Sequence, residues 1–301
     1  MRRSVSFWLS TLLFASAAQA APAPQFATEI PFTSCDGLIC IDVVLDGAAP
    51  RKLMLDTGNV NSTVISDAAN ALGWKLDSAL RDGAAVHGIY IGGEHRVTLG
   101  NVTASTPIFV FDRELLGEYK PPVDGSIAYT FFKDRVLQID YPRHVLRISN
   151  VISTPPPDRP GEGGTLKLIN FGDRGPPVVI GSPFTVNGKR VRAQIDTVYT
   201  GTMLVYDSAL DALGLTKHGT PELVRYTSGG VNLLAAPVPS LGFGERTILR
   251  DAPMYFVGEG KNPVHQPDGL FEATVGNALF AHSVVTMDFH AMTLDVQPGG
   301  E

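Results

Sequence analysis

The hydrophobic positions of this chain come in short runs of β-branched and aliphatic residues, and turn-forming residues separate the runs. Examples are LICIDVVLDG at 38–47, PIFVFD at 107–112 and VLQIDY at 136–141. Runs of this length, with Gly, Pro and Asp between them, are typical of strands joined by tight hairpins. The pattern therefore predicts an all-β chain with only a few short helices.

The first twenty residues differ from the rest and predict an export signal. Arg2 and Arg3 give a short positive start, an apolar stretch follows, and Ala18-Gln19-Ala20 supplies the small-x-small pattern that signal peptidases cut. The uninterrupted apolar part is short for a membrane span, and no Cys follows the cut to carry a lipid. We expect residues 1–20 to be removed and the mature chain to be periplasmic or secreted, with no membrane association.

A segment rich in Pro and Gly, NVISTPPPDRPGEGG at 150–164, divides the remaining chain into two nearly equal parts. It has few apolar residues, which is typical of a linker. We therefore expect an N-terminal lobe at 21–149, a linker at 150–164 and a C-terminal lobe at 165–301.

The two parts match each other in sequence, segment by segment. LMLDTGNVNSTVIS around Asp56 matches AQIDTVYTGTMLVY around Asp196, at an offset of 196 − 56 = 140. SDAANALG, ending at Gly73, matches YDSALDALG, ending at Gly214; each predicts a short helix with a capping Asp at its start and a left-handed Gly at its end. Each part closes with an apolar run and an Asp-aromatic pair, VLQIDY and VVTMDF. The matches predict duplicated halves.

Two duplicated loops that each carry an Asp after an apolar strand can bring two carboxylates together at a pseudo-two-fold axis. Such groups cannot both ionise cheaply, so they share one proton over a wide pH range. One is then a base for a water that attacks a carbonyl, and the other is an acid for the carbonyl oxygen. Asp56 and Asp196 are the candidate catalytic pair. The hydroxyls of Thr57 and Thr197 can brace the loops, and Gly58 permits close approach of the backbone.

With these motifs the chain resembles the pepsin and retropepsin superfamily of aspartic proteases, and most of all its bacterial exported members with both lobes on one polypeptide. Asp56-Thr57-Gly58 matches the family's active-site motif, and Asp196-Thr197 falls on the second copy. DGSIAYTFFKDRVLQIDYPRHVLRIS and TVGNALFAHSVVTMDF resemble the segments that follow each motif. The resemblance spans nearly all of residues 30 to 296. It implies two pseudo-symmetric six-stranded-barrel-like lobes, a peptide or protein substrate between them, and a monomer that needs no cofactor and no metal.

The resemblance also implies a flap, a β-hairpin that closes over substrate. VHGIYIGGEHRV has a suitable composition, with two strand-like arms, a tip formed by Gly88, Gly92 and Gly93, and Tyr90 placed to contact substrate. A surface hairpin without such a role fits the same residues.

Three positions depart from the family pattern. Val198 stands where the second motif has Gly, Tyr199 follows where a small residue is common, and Ala128 replaces a Gly in the first half. A β-branched residue at a tight approach adds bulk and resists unusual backbone angles. Two functions therefore stay open: an aspartic-type endopeptidase, and a non-catalytic module that keeps the fold and binds a peptide or partner.

Cys35 and Cys40 are the only two cysteines, and they bracket the turn signal Asp36-Gly37. In an oxidising compartment this spacing favours a local disulfide across a hairpin over free thiols.

Charge and motif content argue against other classes of function. Without Arg2 and Arg3 the formal net charge changes from −6 to −8, which disfavours a nucleic-acid partner. The seven histidines include no pair at metal-ligand spacing, and the chain has no Gly-x-Ser-x-Gly elbow and no phosphate-binding loop.

Overall fold

The computed structural model describes residues 25–81, 83–116, 123–152, 163–170, 177–226, 229–258, 267 and 269–300. The predicted signal peptide and most of the predicted linker lie outside these ranges. In the first half the elements are β1 (Phe26–Pro31), β2 (Thr33–Cys35), β3 (Leu38–Leu45), β4 (Arg51–Asp56), β5 (Ser62–Ile65), α1 (Ser66–Ala71), β6 (Asp77–Arg81), β7 (Ala84–Leu99), β8 (Val102–Phe111), β9 (Gly125–Ala128), α2 (Tyr129–Phe132), β10 (Val136–Asp140) and β11 (Val145–Ser149).

Apart from β2 and α2, the second half repeats this order of elements. It contains β12 (Gly164–Ile169), β13 (Val178–Val186), β14 (Lys189–Ile195), β15 (Met203–Val205), α3 (Leu210–Leu213), β16 (Thr220–Tyr226), β17 (Gly229–Phe243), β18 (Arg246–Val257), β19 (Ala273–Val275), β20 (Ser283–Asp288) and β21 (Thr293–Pro298). Single 3-10 turns lie at Arg113–Leu116, Asp207–Ala209 and Asn277–Phe280.

The strand order is the same in the two halves. The first sheet runs β3-β4-β9-β5-β8-β7-β6, with β2 beyond β3, and a β3–β7 pairing curls it into a barrel-like form. The corresponding part of the second sheet runs β13-β14-β19-β15-β18-β17-β16 and is curled by a β13–β17 pairing. The prediction of an all-β chain with two barrel-like lobes and a few short helices is confirmed.

Six further strands join the halves in the order β1-β11-β10-β20-β21-β12. At the centre of this sheet β10 and β20 run antiparallel, and Leu137 is opposite Met287. Alternate residues of β20 are buried, as expected for a strand with one face on a core. The same core cluster contains Phe131 and Phe280, one from each half, so the two lobes share one hydrophobic interior.

The strands beneath the two Asp-Thr loops are buried along most of their length. The last four residues of β4 and all residues of β9, β15 and β19 are buried. β4 pairs in parallel with β9, and β14 pairs in parallel with β19. Parallel strands are typically covered on both faces and therefore read as continuous apolar runs. This burial explains the continuous apolar run Leu53-Met54-Leu55 before Asp56.

The short helices end as the sequence predicts, but neither of them starts as predicted. Gly73 and Gly214 both adopt positive φ, 74° and 65°, just after α1 and α3. The predicted Asp caps are wrong in both halves. Ile65 occupies the N-cap position of α1 without a side-chain hydrogen bond, and Asp67 lies inside the first turn. In the second half Asp207 lies inside a 3-10 turn, and Ala209 occupies the N-cap position of α3. Within the described ranges no helix is both long and apolar enough to span a bilayer; α1 has only six residues.

We predict that shortening Leu137 to Ala weakens the whole fold, because this side chain is fully buried in the sheet that joins the halves. The free energy of unfolding should fall by about 3 kcal/mol, the usual cost of a buried Leu-to-Ala cavity. Leu168→Ala on β12, where 40% of the residue is exposed, should change it by less than about 0.5 kcal/mol. Urea unfolding measures both; equal costs would contradict the shared core.

Candidate active site

The two Asp-Thr motifs lie at equivalent ends of equivalent strands. β4 ends at Asp56, and β14 ends at Ile195, immediately before Asp196. The neighbouring strand places Ala128 opposite Asp56, and the backbone N–H of Asp196 donates to the carbonyl of Val275 on β19 at 2.9 Å. The duplicated strand pair in each half therefore presents its Asp at the same edge.

The two threonines lock the loops together across the halves. The backbone N–H of Thr57 donates to the hydroxyl of Thr197 at 3.0 Å, and the N–H of Thr197 donates to the hydroxyl of Thr57 at 3.2 Å. Each hydroxyl also donates to the opposite strand: Thr57 to the carbonyl of Ile195 at 2.8 Å, and Thr197 to that of Leu55 at 2.6 Å. Both threonines are buried. A reciprocal lock of this kind fixes the distance between the loops.

Gly58 lies directly against the carboxyl group of Asp196. A Cβ atom added at position 58 would be 2.5 Å from the Cγ of Asp196, and real Cβ atoms do not come that close. Since Gly58 follows Asp56 by two residues, this contact shows that the first loop faces the second carboxyl group.

Burial and mutual repulsion both act on the carboxyl pair. Asp56 and Asp196 are 6% and 3% exposed. Burial, followed by the negative charge of Asp196, raises the pKa of Asp56 well above its ordinary value, against the N–H groups of Asn59 and Gly58 and the hydroxyl of Ser126. Burial raises the pKa of Asp196 to about 6, against the N–H groups of Val198 and Tyr199. The pair therefore retains a proton where an exposed Asp would be ionised.

Val198 does not separate the two carboxyl groups. Its side chain is buried in a small cluster with first-half residues, namely Leu38, Cys40, Met54 and Val123. Its backbone N–H still donates to Oδ1 of Asp196 at 2.9 Å. The added bulk of the Val198 side chain therefore packs against residues of the first half.

Tyr199 is accommodated by two glycines, Gly201 in the same loop and Gly276 after β19. It is fully buried and packs edge-to-face on Tyr255, with ring centroids 6.3 Å apart. An added Cβ at Gly276 or at Gly201 would overlap Tyr199. Ala128, the counterpart of Gly276, has an extended backbone with φ −129° and donates its N–H to the hydroxyl of Ser62 at 3.0 Å. The first half therefore needs no Gly at this position.

The residues predicted to form the flap do not lie at the tip of the hairpin. β6 and β7 form the hairpin, and its turn falls between Arg81 and Ala84. The predicted tip at Gly88, Gly92 and Gly93 is wrong because all three lie inside β7, where the register with β8 shifts between Ile91 and Gly93. An added Cβ at Gly92 would be 3.0 Å from the carbonyl oxygen of Ile108, so this glycine serves close packing.

Tyr90 also lies within β7, and its hydroxyl donates to Asp112 at 3.2 Å. Beside the hairpin turn the structure exposes Leu80, at 66%, and the equivalent hairpin β16–β17 exposes Leu223, at 67%. The sequence interpretation did not single out either leucine.

Three further polar residues support the loops and were also missed. The Oγ of Ser126 donates to Oδ2 of Asp56 at 3.4 Å. Asn277 donates to the carbonyl of Thr197 at 2.8 Å and to that of Gly37 at 2.9 Å. Gln194 donates to the carbonyl of Gly58 at 2.8 Å. The sequence carried a signal for Gln194 and Ser126, namely an amide or a hydroxyl within an otherwise apolar strand, as in AQID and GSIA.

Cys35 and Cys40 form a disulfide across the β2–β3 hairpin, and Cys40 packs in the cluster around Val198. In the described part of the chain, no group of three or more His, Cys, Asp or Glu side chains could hold a metal ion.

Comparison with known proteins identifies the fold. No protein-family profile matches the chain, and no curated protein matches it in sequence. Among solved structures, the aspartic proteinase from Irpex lacteus is similar at a TM-score of 0.50 and 14% sequence identity, covering 91% of this chain and 97% of that one. The chain therefore has the aspartic proteinase fold.

We predict that Thr197→Val destabilises the protein, whereas Thr197→Ser does so far less. Valine keeps the shape but leaves the buried carbonyl of Leu55 and the N–H of Thr57 without their partner. The expected loss is about 2 kcal/mol in the free energy of unfolding, measured in urea. Serine retains the hydroxyl, so the Thr197→Ser variant measures what the methyl group alone contributes to the free energy of unfolding. A valine variant as stable as the serine variant would argue against the lock.

We also predict that Asp56→Asn makes the protein more stable near neutral pH. Both carboxyl groups have raised pKa values in the folded state. Their contribution to stability is therefore complete below about pH 4, the unfolded value, and is lost as pH rises through the raised folded pKa values, of which that of Asp196 is about 6. Asparagine cannot ionise, so the variant should gain more than about 1 kcal/mol at about pH 7 and little at about pH 4.

Thermal unfolding across pH tests this gain, with the exposed Asp67→Asn as the control for a charge removed elsewhere. Parallel curves of stability against pH for the wild type and Asp56→Asn would contradict the prediction, because they would show that ionising the buried pair costs no folding free energy.

Proposed function

We propose that this protein is an aspartic-type endopeptidase that hydrolyses peptide bonds with a water activated between Asp56 and Asp196. The observation that carries the proposal is the meeting of two buried, mutually repelling carboxyl groups on loops locked by Thr57 and Thr197. A purely structural pair of like charges in this position would only reduce stability. The aspartic proteinase fold supports the same conclusion.

The proposed reaction needs no covalent intermediate. The ionised carboxylate takes a proton from the water as its oxygen attacks the carbonyl carbon of the peptide bond, and the protonated carboxyl group gives its proton to the carbonyl oxygen. In the resulting diol, one carboxyl group donates a proton to the amide nitrogen, and the C–N bond breaks. The other accepts a proton from a diol hydroxyl. The pair ends with one proton, as it began, and the products are an acid and an amine.

The proposed substrate is an extended segment of unfolded polypeptide lying between the lobes. Each half supplies one Asp, so a single chain contains the complete pair and we expect a monomer. The hairpins β6–β7 and β16–β17 present the exposed side chains of Leu80 and Leu223, which are suited to contact apolar substrate side chains.

We further propose that the protein works outside the cytoplasm, in the periplasm or beyond it. The apolar leader with Ala18-Gln19-Ala20 supports export. The Cys35–Cys40 disulfide supports an oxidising compartment, because such bonds are rare in reducing ones.

We predict that Asp56→Asn and Asp196→Asn each lower the cleavage of a reduced, unfolded protein substrate by about 1000-fold, since each removes one partner of the acid–base pair. Asp67→Asn should retain wild-type activity. Cleavage is followed from about pH 3 to about pH 8, with the maximum expected where the pair carries one proton. Fragment analysis by mass spectrometry identifies the cleaved bonds.

Two results would reject the peptidase proposal. One is equal cleavage by the wild type and Asp56→Asn, which would assign the activity to a contaminant. The other is saturable peptide binding that Asp196→Ala leaves unchanged, without turnover at any pH, which would identify a binding module.

A further inference from the structure

Gln194 is a buried amide two residues before Asp196, on a strand that is otherwise apolar at its buried positions. The equivalent position in the first half, two residues before Asp56, is Met54. The duplicated strands therefore differ in chemistry at the position beneath each candidate catalytic residue. A buried amide requires partners for its N–H groups and its oxygen, and the partners of Gln194 lie in both halves.

The amide nitrogen of Gln194 crosses to the other half of the molecule. Its Nε2 donates to the carbonyl oxygen of Gly58 at 2.8 Å. That carbonyl and the N–H of Asn59 belong to one planar trans peptide unit, in which C=O and N–H point in opposite directions. The N–H of Asn59 donates to the carboxyl group of Asp56. One end of the peptide is thus held by Gln194, and the other end contacts Asp56.

The amide oxygen of Gln194 is anchored within its own half. It accepts a hydrogen bond from the hydroxyl of Thr274 at 3.3 Å, and the Thr274 hydroxyl lies 2.7 Å from that of Tyr206. Because the Thr274 proton is directed at Gln194, Tyr206 is the donor in the second contact. The hydrogen bonds then all run in one direction, from Tyr206 through Thr274 and Gln194 to the Gly58–Asn59 peptide. Chains with a common direction polarise each other and strengthen the last donor.

Thr274 does not have the same partner as its counterpart in the first half, Ser126. In the first half, Ser126 on β9 reaches Asp56 directly. In the second half, Thr274 on the equivalent strand β19 contacts Gln194 and not the loop of its own Asp196. Met54 in turn packs against Val198. Each half therefore supports the opposite loop, the first through apolar contact and the second through a polar chain.

We propose that Gln194 is a positioning residue for the candidate catalytic pair: it holds the Gly58–Asn59 peptide so that the Asn59 N–H stays directed at Asp56. A donor to a carboxylate favours its ionised form. Gln194 therefore helps the doubly protonated pair to release one of its two protons, which gives the singly protonated state that the proposed reaction uses. The part of this inference that concerns reaction rate rests on the proposed peptidase function, while the part that concerns the proton affinity of Asp56 does not.

The test substitutes Gln194→Met, which copies the residue of the first half, keeps the side-chain length and removes the donor. The matched control is Gln138→Met, which removes a hydrogen-bonded amide from the sheet that joins the halves. The pH profiles of kcat and kcat/KM are measured on a peptide that the wild type cleaves. For Gln194→Met we expect both limbs to move to higher pH by about 0.5 to 1 unit, with kcat reduced about tenfold and KM changed less than about threefold.

A second pair of variants tests the chain behind Gln194. Thr274→Val should move the profile in the same direction by a smaller amount, because the amide loses its anchor but keeps its donor. Thr274→Ser should restore the wild-type profile. A Gln194→Met profile that coincides with that of Gln138→Met, or a Thr274→Ser variant no better than Thr274→Val, would overturn the proposal.

A readout without substrate separates this inference from the proposed function. The midpoint pH at which the wild type loses the stability linked to its carboxyl pair is determined from unfolding curves across pH. Gln194→Met should move that midpoint upward, and adding Asp56→Asn should abolish the difference. No movement would overturn the positioning role even in an active enzyme. A movement in a protein that cleaves no peptide would reject the peptidase and retain the role of Gln194 in holding the pair.

Discussion

Two carboxyl groups that repel each other are buried at one point between the halves of this molecule, and the surrounding structure keeps them there. Burial alone would drive such groups apart or into water, because each ionised carboxylate loses its hydration and also meets a like charge. The reciprocal hydrogen bonds of Thr57 and Thr197 prevent the separation. Sharing one proton is the least costly state that remains, and a shared proton is also what acid–base hydrolysis requires.

The halves repeat each other in topology but not in the chemistry of the site. Strand order, parallel pairing beneath each Asp and the closing hairpins are common to both. The supporting side chains differ: Met54 packs under Val198, whereas Gln194 hydrogen-bonds to the Gly58 carbonyl. A duplicated fold therefore provides the meeting point, and unequal substitutions make its two carboxyl groups different. Different proton affinities suit a pair in which one member is an acid while the other is a base.

The sequence was sufficient for the fold class and for the position of each Asp, because both depend on local patterns that occur twice. A mostly apolar run that ends in Asp-Thr predicts the end of a buried strand, and its repetition at a fixed offset predicts a symmetric meeting. Gly73 and Gly214 were equally readable, since a left-handed residue after a helix is a local requirement.

Where the sequence failed, long-range packing decided the outcome. Gly92-Gly93 looks like a turn but serves a register shift and close approach to Ile108 inside a 16-residue strand. Val198 suggested added bulk at a tight approach, but its side chain packs on residues far away in sequence, Leu38 and Met54. The partners of Gln194 lie up to 136 positions away, so no local pattern could assign its role. The bacterial exported type and the substrate remain predictions.

Whether Asp56 and Asp196 share a proton can be measured by titrating their carboxyl carbons with ¹³C NMR in aspartate-labelled protein. Asp56→Asn and Asp196→Asn assign the two signals. We expect two coupled transitions, at least one of them well above about pH 4, and a lower apparent pKa for Asp196 once Asp56 is replaced. Two independent transitions near about pH 4, each unchanged when the other Asp is replaced, would contradict it.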